Sequence, residues 1–154
     1  MEAGRAIIQA EVAAGGTALP WADRAAFAER MLEWETRSHA EAVARAAAHV
    51  GPVFFDRGVP DIIGYRRLVG LPVPAALEAA ARRHRYHRRV FLAPPWPDIF
   101  HGDAERKQDF AEAVRTAEAM RAVYGEYGYE VMELPRATVA ERVAFVLAKV
   151  RGHG

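Results

Sequence analysis

Apolar residues recur at threes and fours along most of the chain and gather into short unbroken runs at three places. Phe27, Met31, Trp34, Ser38, Ala42, Ala46 and Val50 form one stripe of a long helix predicted from about Asp23 to His49. Phe110, Val114, Ala117 and Tyr124 mark another from about Gln108. Val139, Val143, Val146 and Val150 mark a last one, which opens at Thr138 with Glu141 three residues on, the spacing of a capping box. Ile7, Ile8 and Val12 predict a first helix ending near Gly15-Gly16. Short helices are expected after Pro60 and Pro74, because proline suits the first helical turn. The unbroken runs, Val53-Phe54-Phe55, Val90-Phe91-Leu92 and Tyr129-Glu130-Val131-Met132, are bounded by Gly or Pro and read as strands. Strands alternating with helices point to an α/β fold with a parallel sheet. The chain nevertheless opens on a helix, and three strands make a thin sheet for so many helices. The pattern reads as a sheet without its first strand.

Composition narrows the class. The 154 residues are sized for one domain, 1–154, and 51% apolar residues supply a core that excludes wholesale disorder. Lysine plus arginine is 21 against 20 acids, a net charge of +1, which argues against a dedicated nucleic-acid binder. The absence of cysteine removes disulfide scaffolds, zinc-thiolate sites and thiol catalysis together, and suits a reducing, cytoplasmic setting. No apolar run approaches the roughly 18–20 residues of a membrane span. Met1-Glu2-Ala3-Gly4-Arg5 lacks the layout of a secretory signal.

Ligands of open parallel sheets bind at the carboxyl ends of the strands. The first candidate is therefore Val53-Phe54-Phe55-Asp56-Arg57-Gly58, with Pro60-Asp61 close behind. A strand ending in aspartate can set a carboxylate beside Mg2+, and Arg57 can neutralise phosphate from the same turn. The same aspartate also suits a plain turn or helix cap. A second candidate is Pro94-Pro95-Trp96-Pro97-Asp98, followed by Asp103, Arg106 and Lys107. There a stiff loop leads to cations that could cover phosphoryl oxygens, or to an ordinary solvated helix start. Glu2 and Arg5, three apart on one helical face, form a third pair, at a terminus that by default frays. The run Arg82-Arg83-His84-Arg85-Tyr86-His87-Arg88-Arg89 could bind nucleic acid or another anion. It fits better as a solvated helix end, where cations meet the helix dipole favourably. The histidines show no metal-ligand spacing beside carboxylates.

A phosphate cradle of the form Gly-x-x-x-x-Gly-Lys-Ser/Thr is absent: Lys107 and Lys149 have the wrong neighbours, and Gly15-Gly16-Thr17 has no lysine. Taken in order, Glu2-Ala3-Gly4-Arg5-Ala6-Ile7-Ile8, Phe54-Phe55-Asp56-Arg57-Gly58-Val59-Pro60-Asp61 and Ala93-Pro94-Pro95-Trp96 with Asp103 and Arg106 resemble the NadR/Ttd-type AAA domain. That group of small P-loop ATPases and kinases includes a nicotinamide-riboside kinase domain. The resemblance implies a P-loop-kinase-like parallel sheet with helices on both faces, here missing the first strand, P-loop and first helix. It implies an ATP- or GTP-binding NTPase, or a kinase acting on a small nucleoside-like acceptor, with Mg2+; without its phosphate loop the chain is expected to be inactive alone. By resemblance, Asp56 holds Mg2+ or its water, Glu2 acts on the acceptor side, Arg106 is the lid cation, and Arg57, Arg5 and Lys107 meet phosphate. Two other readings are a non-catalytic fragment that self-associates through exposed strand edges and an anion binder using Arg82 to Arg89.

Overall fold

Residues 2–46, 48, 51–99 and 109–151 are described in a computed structural model of the chain. The fold is mixed α/β, with six helices and a two-stranded parallel sheet among the described residues. It divides into two compact units, Met1–Tyr86 and His87–Gly154.

The first unit carries α1 (Ala3–Ala14), α2 (Arg24–Ala46), α3 (Val59–Leu68) and α4 (Ala75–Arg83). Helix α1 stops where the pattern predicts, at Gly15, whose φ of 66° lets its N–H turn back to the carbonyls of Glu11 and Val12. Helix α2 begins after Asp23, whose side chain accepts the Ala26 N–H at 2.9 Å. Its apolar stripe does what periodicity requires: Phe27 packs with Ala3 and Ile7 of α1, and Met31, Trp34 and Tyr65 close round them. Helix α3 is the most enclosed element, with Val59 and Ile63 at 0% exposure. It also buries Arg66, whose Nε–H donates to the Pro72 carbonyl at 2.7 Å and whose second nitrogen reaches Glu29 at 3.2 Å. That pairing is what makes a buried guanidinium tolerable.

The second unit holds β1 (Arg89–Leu92), a 3-10 turn (Pro97–Ile99), α5 (Phe110–Glu126), β2 (Glu130–Glu133) and α6 (Val139–Arg151). The strands pair in parallel, Val90 opposite Val131 and Phe91 opposite Met132. Met120, Val123 and Tyr129 are its buried apolar residues. The capping box at Thr138 forms as predicted: the Thr138 N–H and hydroxyl donate to Glu141, at 2.9 and 2.6 Å.

One predicted element is corrected. Val53-Phe54-Phe55 is irregular chain rather than a strand, and the sheet has two strands among the described residues. The reason is physical: a strand is defined by its ladder, and among the described residues no backbone hydrogen bond reaches residues 53–56. The predicted start at Gln108 and end at His49 lie outside the described residues.

Candidate functional site

The segment after Val53-Phe54-Phe55 is a sharp turn, and its geometry is unusual at one residue. Arg57 has φ of 86°, the only non-glycine in left-handed backbone among the described residues. A side chain is rarely held there without compensation, and such positions gather at functional sites. Here the turn delivers the guanidinium to two carboxylates: Arg57 donates to Asp61 at 3.4 Å and stands 4.0 Å from Glu2. Asp61 is fixed from the other side, because its second oxygen accepts the Gly58 N–H at 3.0 Å. Glu2 caps α1 by position only, with no side-chain bond to the helix. Its carboxylate instead lies back over Gly4, where an added Cβ would stand 3.0 Å from Glu2 Oε1. An alanine at Gly4 would require the Glu2 carboxylate to shift by a few tenths of an ångström.

A fourth charged group, Glu35, lies beside these three. It sits on α2 eight residues from Phe27 and four from Met31, on the buried face, and is only 5% exposed. Burial first, and then the charges of Asp61, Asp56 and Glu2, push its carboxyl from 4.5 up to about 7, with Arg57 pulling the other way. For Arg57, partial burial opposes the charged form, yet Asp61 and Glu2 outweigh it and raise the guanidinium above its ordinary value. The cation is secure, and the proton that can move near neutrality is on Glu35.

Beside these groups a cavity of about 450 Å³ opens between α2 and residues 53–56, lined by Trp34, Glu35, Ser38, Phe54, Phe55 and Asp56 among others. Asp56 is exposed on its rim. The arrangement joins aromatic walls to two carboxylates, Asp56 exposed on the rim and Glu35 buried and poised to exchange its proton.

Of the residues proposed from sequence, Glu2 and Arg57 meet directly, and the charge of Asp56 is felt at Glu35. Arg5 is half-buried on α1 and belongs to the same unit. Asp103, Arg106 and Lys107 lie outside the described residues. The loop after β1 is tied locally, with the Trp96 indole N–H donating to Asp98 at 2.8 Å. Within the basic run, Arg82 pairs with Glu78 in the last turn of α4, as a solvated helix end would, and Arg89 lies in β1 beside Glu130. Glu35 is the residue that periodicity could have found. A carboxylate four residues after Met31, on an apolar stripe, must be paired, protonated or functional.

Among the described residues, no three carboxylates or imidazoles converge as a metal cage, and no helix is long and apolar enough to cross a membrane. A family model described as an AAA domain matches residues 1–142, a span running through both compact units. No curated protein and no solved structure matches the chain.

Proposed function

The chain belongs to the AAA domain family, and we propose that it forms the acceptor- and metal-handling side of a P-loop phosphotransfer or nucleotide-hydrolysing centre. The observation that carries this reading is the meeting of Glu2, Asp61 and Arg57 at a left-handed turn, with Glu35 beside it. The family supports nucleotide binding with Mg2+; we take the nucleotide to be ATP or GTP and the acceptor to be small and nucleoside-like. A cytoplasmic setting suits a chain without cysteine.

The residues present fit Mg2+ in one respect. Such ions are usually held by one or two carboxylates, with phosphate oxygens and water supplying the rest, so an exposed Asp56 is a suitable contact. When bound, the ion neutralises charge on the transferring phosphoryl group. The residues present do not fit the phosphates themselves. Neither lysine stands in a cradle sequence, so we assign that loop to chain outside these 154 residues. The work of the described residues is then local. Glu2 and Asp61 hold Arg57 in place, and Arg57 offsets negative charge beside Asp56. Glu35, half-protonated near pH 7, takes or returns the acceptor's proton.

Titration calorimetry with MgATP and MgGTP tests this on two forms, the 154-residue chain and one extended upstream in frame. Negligible binding is expected for the first and measurable binding for the second. In the extended form, Asp56→Asn should keep nucleotide affinity and cut turnover by at least about a hundredfold. Tight binding by the 154 residues, the lack of a cradle sequence in the extended form, or full turnover by Asp56→Asn contradicts the proposal.

One observation favours a second reading. Val53 and Phe54 are 48% and 58% exposed on a segment whose backbone finds no hydrogen-bond partner among the described residues, so a second copy of the chain could pair there.

A further inference from the structure

We infer that Tyr86 is the positioning residue of the Asp56–Gly58 turn, the group that keeps Arg57 in left-handed backbone. Tyr86 belongs to the basic run by sequence, yet its contacts lie on the candidate site. Its hydroxyl accepts the Val59 N–H at 3.2 Å, at the first residue of α3. That N–H is one of the four a helix start leaves without an internal partner, so the phenol ties the turn to the helix that follows it. Its ring lies edge-on to Phe55, with centroids 5.2 Å apart, and edge-on to His39 of α2 at the same separation. His39 is anchored in turn, its Nε2 being 2.9 Å from the Arg85 carbonyl oxygen. Because that oxygen can only accept, Nε2 carries the proton.

The closest contact is with Gly58. Its φ of −168° is extended backbone open to any residue, so conformation does not explain the glycine. Space does: a Cβ there would stand 2.8 Å from two ring carbons of Tyr86. One side chain therefore touches residues 55, 58 and 59, on both sides of Asp56 and Arg57. A strained φ persists only where its surroundings leave the chain no alternative. Tyr86 supplies that constraint, with Phe55 braced on one side of the turn and Val59 on the other. Tyr86 holds the turn whatever chemistry Asp56 and Arg57 serve.

The test reads the backbone rather than turnover. Three-bond couplings measured by NMR report φ at Arg57, and hydrogen exchange reports the Val59 amide. Native protein and Tyr86→Phe should both show the left-handed couplings at Arg57, since the ring remains. Tyr86→Phe should speed Val59 exchange about tenfold, as expected for one lost hydrogen bond, while the amides of Met120 and Val123 are unaffected. Tyr86→Ala should return Arg57 to negative φ with the helices intact. Gly58→Ala should do the same by displacing the ring, and it decides the matter should Tyr86→Ala fail to fold. Left-handed couplings that survive in Gly58→Ala, or Val59 exchange that is unchanged in Tyr86→Phe, overturn the assignment. Failure to bind nucleotide would leave all these readings in place, so the two proposals fail separately.

Discussion

Val53-Phe54-Phe55 and Val90-Phe91-Leu92 carry the same sequence signal and meet different fates. Each is a β-branched residue followed by two large apolar ones, and each is predicted as a strand. In the second, every residue is half-buried and paired in register with Val131–Glu133. In the first, Val53 and Phe54 face solvent, and only Phe55 is held, by His39 and Tyr86. The difference teaches that β propensity describes fitness for a pleated surface and creates no partner for it. What fixes the first segment is an aromatic clasp at its end, and that clasp shapes the turn where Arg57 meets its carboxylates.

The comparison is broken most forcefully at Phe91. Its ring packs edge-on to Phe145, with centroids 6.4 Å apart. Phe91→Ala should destabilise the second unit by about 1–3 kcal/mol, less than a fully enclosed phenylalanine would lose. Urea unfolding followed by the tyrosines of that unit measures it, and a change near zero would mean that the ladder packs less than its register implies. The smaller effect is at Phe54. With its side chain mostly in water, Phe54→Ser should change stability by less than about 0.5 kcal/mol. If a second copy covers this segment, the same substitution should abolish concentration-dependent sedimentation. A native chain that sediments as a monomer at every concentration rejects that second copy.

The parts of the fold legible in the sequence were those set by local rules. Gly15 ends α1, Asp23 starts α2 and Thr138 with Glu141 starts α6, because caps depend on neighbours only. The pairing of Val90 with Val131 is harder to read, and the lack of a ladder partner for Val53 among the described residues harder still, because ladders join residues far apart in sequence. The candidate site divides in the same way. Glu2, Asp56 and Arg57 were found from short motifs, and Asp61 stood beside them. Glu35 and Tyr86 are masked in the sequence because each sits in a run with another explanation, an amphipathic helix for one and a basic stretch for the other. Only their three-dimensional neighbours, Asp61 and Asp56 around Glu35, and Gly58 and Val59 against Tyr86, separate them from those runs.

The account turns on Glu35 being the proton-exchanging group of a carboxylate cluster. A carboxyl whose value is raised by folding binds its proton more tightly in the native state. Its contribution to stability is complete below about 4.5 and gone once pH passes about 7. The direct measurement is the carboxyl carbon shift of Glu35 followed by NMR from pH 3 to 9, with unfolding midpoints of the native chain and Glu35→Gln taken alongside. The account predicts a Glu35 midpoint near 7 and a fall in stability between pH 4.5 and 7 that Glu35→Gln flattens. A midpoint at the ordinary carboxyl value of 4.5, with identical pH profiles for the two proteins, would contradict it.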